Sequence, residues 1–315
     1  VLYAGDATKL YRYDGTTGSF TDASRLVGGA YATPSTGYWR FTQYGSLCIG
    51  TNGFDAPQSI TMDGGTNFAA LGGTPPVARY IATGREFVFL GALSTNLNAI
   101  QWSASGSATG WTVGTNESDT KTFPSGGIVT GIIGGETVYI FQERAITRAT
   151  RVSAPISWQL DTIEIERGCY IPGSLQAIGS LIFYAASDGF YMFDGVQSVP
   201  IGLEKVDRYF LEDATYGLDQ AQLDRVSSAI DPNRKLYIVL YPSVGGTMAL
   251  TAHGTWKFPS NPPSAVKNAT PAYDSRTRSL LDVFLAIPPY MASGVNVAAG
   301  NARADARGAA GNPGE

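Results

Sequence analysis

The sequence predicts an all-β chain, a β-propeller of about five to seven blades with a short helical insertion between two of them. Three observations predict it. A turn followed by a short apolar run recurs at Tyr44-Gly45-Ser46-Leu47-Cys48-Ile49, Gly84-Arg85-Glu86-Phe87-Val88-Phe89-Leu90, Gly134-Gly135-Glu136-Thr137-Val138-Tyr139-Ile140-Phe141, Ile178-Gly179-Ser180-Leu181-Ile182-Phe183-Tyr184 and Asn233-Arg234-Lys235-Leu236-Tyr237-Ile238-Val239. Periods of roughly 40–50 residues that each hold several short strands are the spacing of propeller blades. Composition agrees: 38 glycines in 315 residues is well above the roughly 7% of average chains, and 15% charged residues is well below the usual roughly 25%. Many tight turns and uncharged polar strands produce both departures.

The first element is a strand at Leu10-Tyr11-Arg12-Tyr13, a turn at Asp14-Gly15 and a second strand from Phe20. It reads as the outer half of a blade whose inner half is missing or comes from the C-terminal part, the arrangement by which a ring hides its last open edge. Between Tyr80 and Val113 a strand, an Asn/Ser-rich loop, Ile100-Gln101-Trp102-Ser103 and Gly110-Trp111-Thr112 make a further unit. Gly127 to Glu166 make the next, with Ile163 and Ile165 expected on one face and Glu164 and Glu166 on the other. Ser174 to Gly202 is the clearest unit: Asp188-Gly189 and Asp194-Gly195 supply turns whose residues tolerate positive φ, forcing an up-and-down meander. From Leu203 to Val226 the period changes. Leu203, Val206 and Phe210 fall on one helical stripe, and a second short helix is expected over Leu218 to Arg225.

The expected organisation is a propeller over 1–258 with its helical link at 203–226, a Pro-rich extension over 259–297, and a flexible Ala/Gly-rich tail over 298–315. Leu280 to Val297, the nearest approach to a membrane span, is broken by Asp282 and Pro288-Pro289. Neither a membrane anchor nor a secretory leader is expected.

Chemistry is sparse. Glycoside hydrolysis needs paired carboxylates, and the candidates are Asp161, Glu164, Glu166, Asp188, Asp194, Glu204 and Asp207. Each has a structural explanation in a turn, on a solvent face or on the helix. His253 is the only histidine, so a histidine metal site is excluded and a Ser-His-Asp arrangement has one residue to draw on. Cys48 and Cys169 read as buried thiols, and the sequons at Asn116 and Asn268 as chance matches. Rings at Phe87, Phe89, Tyr139, Phe141, Phe183, Phe190 and Tyr237 occupy inward strand positions and are assigned to the core. No catalytic, cofactor-binding or metal residue is assigned, no cofactor is expected, and the chain reads as a non-enzyme. The net charge of −4 lacks the clustered Lys and Arg that tight nucleic-acid binding requires.

The ordered series Phe141-Gln142-Glu143-Arg144, Ile156-Ser157-Trp158, Arg167-Gly168-Cys169-Tyr170-Ile171-Pro172-Gly173-Ser174-Leu175, Asp188-Gly189-Phe190-Tyr191-Met192-Phe193-Asp194-Gly195, Pro200-Ile201-Gly202, Val206-Asp207-Arg208-Tyr209-Phe210 and Ala229-Ile230-Asp231-Pro232 resembles bacteriophage and prophage tail proteins. It is similar to the β-propeller proteins of the tail nozzle or hub of short-tailed phages, called tail tubular protein B or packaged-DNA stabilisation protein. Trp39-Arg40-Phe41-Thr42-Gln43-Tyr44-Gly45, Thr51-Asn52-Gly53 and Ala56-Pro57-Gln58 fit the same pattern, so the resemblance covers residues 10–258. The chain departs from it after Met248, where the family's strand continuation is not evident.

The resemblance implies a virion protein that assembles as a homo-oligomeric ring, a hexamer, around the tail axis. It implies docking to a head-to-tail adaptor and to other tail proteins, and retention of packaged DNA until ejection. A mildly acidic channel suits that work, because a duplex passes loosely where no basic lining releases its counterions. The helical link 203–226 and the tail from Ala298 are the expected contacts between subunits. A glycan-binding propeller of a host-surface adhesin, or a propeller glycosidase, stays open as an alternative. The first would repeat aromatic and acidic residues in every unit, and the second would converge carboxylates in a deep pocket.

Overall fold

A computed structural model describes residues 1–153, 156–203 and 206–244, and the backbone of 248–253. Glu204, Asn268, the side chain of His253 and the segments 259–297 and 298–315 lie outside the described residues.

The described chain is all-β, in six antiparallel sheets that follow one another in sequence, each a meander of consecutive strands. The first holds β1 (Tyr3–Gly5), β2 (Leu10–Asp14) and β3 (Ser19–Asp22). The second holds β4 (Arg40–Tyr44), β5 (Leu47–Thr51), β6 (Gln58–Thr61) and β7 (Ala69–Ala70). The third holds β8 (Ala78–Gly84), β9 (Phe87–Leu93), β10 (Asn96–Trp102) and β11 (Asp119–Thr122). The fourth holds β12 (Val129–Ile133), β13 (Thr137–Gln142), β14 (Ala145–Arg151) and β15 (Trp158–Ile165). The fifth holds β16 (Gln176–Ile178), β17 (Leu181–Ala186), β18 (Gly189–Phe193) and β19 (Ser198–Pro200). The sixth holds β20 (Ser227–Asp231), β21 (Leu236–Pro242) and β22 (Met248–His253).

Period-two alternation explains how six small sheets become stable, since a strand sends successive side chains to opposite faces. In β9, Val88 and Leu90 pack towards the second sheet with Ile49 and Leu71, while Phe87 and Phe89 pack towards the fourth with Val138, Ile140 and Trp158. In β17, Ile182 and Tyr184 meet Phe141 of the fourth sheet, while Phe183 and Ala185 meet Ile230, Tyr237 and Val239 of the sixth. Cys48 and Ile60 face Tyr3 and Leu10 of the first sheet. Each consecutive pair of sheets therefore encloses its own apolar core. Strands buried on both faces read as unbroken apolar runs, which is why the inner strands are visible in the sequence.

Hydrogen bonds stitch neighbouring sheets. Thr83 Oγ1 donates to Gln43 O (2.7 Å), Arg85 N to Gly135 O (3.1 Å) and Gln176 Nε2 to Ser228 O (2.9 Å). First strands also lie against first strands, β4 with β8, β8 with β12 and β16 with β20.

Four local expectations are corrected. The inner neighbour of β2 is β1, supplied by Tyr3–Gly5 itself and not by the C-terminal part. Gly110-Trp111-Thr112 is loop, and the outer strand of the third sheet is the wholly exposed Asp119–Thr122. In β15 the register against β14 shifts, with Thr147 opposite Thr162 and Ile146 opposite Glu164. Ile163 is thus the extra residue of a bulge, the alternation breaks there, and Ile165 ends 75% exposed.

The fourth correction concerns the link. Helix α1 spans only Asp207–Glu212, Gln220–Arg225 is a kinked 3-10 segment, and Leu203 is 60% exposed. Phe210, Leu218 and Val226 fill the core between the fifth and sixth sheets, with Val206 packed against it, while Leu203 stays outside.

Candidate functional site

A group of ionisable side chains surrounds the β17–β18 turn. Ala186 pairs with Gly189, so Ser187 and Asp188 form a two-residue hairpin loop. Asp188 Oδ2 accepts from the Tyr191 hydroxyl (2.8 Å) and pairs with the Arg167 guanidinium (3.3 Å). That guanidinium also lies over the Tyr191 ring, 4.6 Å from its centroid. Burial and the Asp188 hydrogen bond push the Tyr191 hydroxyl up to about 12.

Asp207 stands behind the turn at the start of α1, 7% exposed. Its Oδ1 accepts from the Phe190 backbone N–H (3.0 Å). Burial raises its pKa, the Phe190 N–H opposes that shift, and the nearby Asp188 charge adds to it. The carboxylate is wrapped by backbone: a Cβ at Gly189 or Gly202 would collide with its oxygens. Two acids singled out from the sequence, Asp188 and Asp207, are therefore brought together. Yet one is exposed in a three-way clasp with Arg167 and Tyr191, and the other bolts α1 to a hairpin. The arrangement holds structure and leaves the buried carboxylate enclosed by Gly189, Phe190 and Gly202.

The remaining acids are dispersed in comparable duties. Asp194 Oδ1 accepts from Val196 N and Gln197 N (2.9 Å each), bonds that hold its carboxyl below the usual range, Gln197 foremost. Glu164 Oε1 accepts from Ser198 N (2.8 Å) and so ties the outer strands of the fourth and fifth sheets. Asp161 faces Arg148 at 3.7 Å. Glu166 sits at φ 70°, where it ends β15.

Both cysteines are buried, their thiols pushed up to about 12 by desolvation, and Cys169 Sγ donates to Ile171 O (3.2 Å). Asn116 and Glu117 adopt left-handed φ of 48° and 69°. Ser118 of that sequon is buried and donates to Trp102 O (2.9 Å). Glu117 clasps Arg151 of the fourth sheet (2.7 Å), whose guanidinium lies over Phe87 at 5.0 Å. The aromatic positions assigned to the core are buried, apart from the half-buried Tyr139. Among the described residues no cluster of three His, Cys, Asp or Glu is placed to hold a metal ion.

Sequence reasoning passed over an exposed apolar group at the outer edge of two adjoining sheets. Ile165 at 75%, Val196 at 72% and Val199 at 38% exposure lie on β15, the β18–β19 turn and β19, which the Glu164–Ser198 bond holds together. The bulge at Ile163 breaks the alternation that would have placed Ile165, and a bulge leaves no periodic signal. Leu26 and Val27 form another exposed pair, at 83% and 87%.

No family model matches the chain. No curated protein matches it either. Among solved structures it is similar to the extracellular domain of a putative one-component system from B. thetaiotaomicron, with TM-score 0.47 and 11% identity over 81% of this chain and 32% of that one. It is similar also to a computationally designed protein, Ika8 (TM-score 0.43, 12% identity, 79% of this chain and 66% of that one). A chain of a mitotic checkpoint complex gives TM-score 0.41 and 10% identity over 74% of this chain and 64% of that one. The chain spans about a third of the length of the extracellular domain.

Proposed function

We propose that this chain is a structural subunit of a phage tail, in which the six sheets are blades of one propeller and several copies form the nozzle or hub ring around the DNA channel. The ring docks to a head-to-tail adaptor and holds packaged DNA until ejection, in the virion. The ordered resemblance in sequence supports the assignment to a tail. Consecutive meanders with a core between each neighbouring pair, and first strands set against first strands, support the propeller.

The observation that carries the assembly reading is the exposed Ile165, Val196 and Val199 group. Ile165 follows Glu164, and Val196 and Val199 lie within two residues of Ser198, so the Glu164–Ser198 bond sets these exposed residues on neighbouring strands, and exposed apolar groups of this kind mark contacts with other proteins. The acids support a mechanical role as well, since Asp188, Asp194, Glu164 and Asp207 are engaged with backbone amides, an arginine or a tyrosine.

Negative-stain electron microscopy of the purified protein tests the reading, beside sedimentation of an Ile165→Asp/Val196→Asp variant. Rings with a central opening are expected for the natural chain, and dissociated subunits with an unchanged melting temperature for the variant. Monomers of the natural chain at tens of micromolar, or rings that ignore the substitutions, would refute it.

A further inference from the structure

Between the second and third sheets lies a pocket of about 300 Å³, lined by Gly53, Phe54, Val77, Arg79, Ser94 and Leu97. Its volume falls at the lower end of the range for small-molecule sites, about 300–1,000 Å³. We propose that it binds a carboxylate carried on a six-membered ring, the carboxylate on Arg79 and the ring face on Phe54. This goes beyond the tail assignment and does not depend on it.

The charge is available. Among the described residues the Arg79 guanidinium has neither a salt bridge nor a side-chain hydrogen bond, whereas Arg25, Arg85, Arg148, Arg151, Arg167, Arg208 and Arg234 all pair with acids. The nearest acid on the lining loop does not neutralise it. Asp55 is consumed by Arg25 (3.1 Å), Ala32 N (2.8 Å) and Asn52 Nδ2 (2.9 Å). A planar guanidinium with free donors matches the two oxygens of a carboxylate.

The ring platform is built in advance. Phe54 is 49% exposed, and its loop is pinned by hydrogen bonds to Asn52. Asn52 Oδ1 accepts from Phe54 N (2.9 Å) and Asp55 N (2.8 Å), while Asn52 Nδ2 donates to Thr33 Oγ1 (2.8 Å). The edge of the ring rests on Gly37, where a Cβ would stand 3.3 Å from Phe54 Cε2. Gly53 has φ 82°, and a Cβ there would come within 2.9 Å of Arg79 Cγ, so glycine lets the arginine stem lie along the loop. Ser94 N donates to Val77 O (2.8 Å) and closes the floor, leaving Val77 and Leu97 as apolar walls. One free cation, one fixed aromatic face and apolar walls select a ring bearing a negative group over either feature alone.

Saturation-transfer NMR on the full chain tests this, with glucuronate and benzoate as the two ring acids and glucose, acetate and inorganic phosphate as controls. At least one ring acid is expected to bind saturably. The same ligand should lose about tenfold or more in affinity on Arg79→Met and on Phe54→Leu. Both side chains are exposed, so the melting temperature should hold, and Arg79→Lys should retain part of the binding. Binding of glucuronate alone identifies an acidic sugar as the ligand; binding of benzoate alone identifies an aromatic acid. Absence of saturable binding by both, equal binding by either variant, or equal competition by acetate or phosphate overturns the proposal.

Discussion

Asp207 distinguishes a structural carboxylate from an ionised functional one. In Asp207→Asn the oxygen that accepts from Phe190 N–H is kept and the ionisation is removed, whereas Asp207→Ala leaves that buried donor unpaired. An unsatisfied buried group costs about 1–3 kcal/mol, so the alanine variant should fall below the asparagine variant by about that much at every pH. The asparagine variant should differ from the natural chain in a pH-dependent way. Because burial raises the folded pKa of Asp207 above its unfolded value, its titration contributes stability that is fully present below the unfolded value near about 3.9 and is lost as pH rises through the folded one. The stability of the natural chain minus that of Asp207→Asn should therefore be largest at acid pH, fall as pH rises, and level off above the folded pKa. Urea unfolding followed by tryptophan fluorescence across that range reads the difference directly. A difference that grows with pH, or an asparagine variant weaker than the alanine one, would refute the reasoning, since either would mean that the ionised carboxylate is what the fold requires.

Phe89 is fully buried between the third and fourth sheets, 5.0 Å from the Trp158 ring and 5.9 Å from that of Trp102. Phe89→Ala should cost about 3–5 kcal/mol in chemical denaturation, the range for a large side chain removed from a packed core; a loss under about 1 kcal/mol would mean that the sheets do not pack as described. The two thiols, buried and with raised pKa, should resist a disulfide reagent at neutral pH and react once the chain is unfolded. Rapid labelling of the native protein at either site would contradict their burial.

What was legible in the sequence follows from what burial demands. Phe87-Val88-Phe89-Leu90 and Ile182-Phe183-Tyr184-Ala185 stand out because both faces of those strands are covered, so every position must be apolar. Asp194-Gly195 marks its turn because Asp194 caps the following amides. Outer strands are different. Asp119–Thr122 is exposed at all four positions, and a strand held only by its ladder to β10 carries no pattern that distinguishes it from a loop. Tyr3–Gly5 was missed for a related reason: three residues are too few for a period, although Gly5 is needed where Trp39 packs against β1.

Site geometry was less legible still, because it depends on register and on contacts far apart in the chain. Asp188 and Asp207 were both visible as acids, but nothing in their spacing says that a helix start returns to the back of a hairpin. The hidden constraint sits on their neighbours, since Gly189 and Gly202 are the positions where any side chain would strike the Asp207 carboxylate. The same logic applies at Gly53 beside Arg79. In a fold made of repeated hairpins, a glycine whose missing Cβ would meet the atoms of a distant residue marks a place where that residue has been brought close. Such glycines therefore locate packed clusters that carboxylate spacing alone misses, and those beside Asp207 and Arg79 mark two positions where substitution should separate the mechanical role of this chain from any binding role.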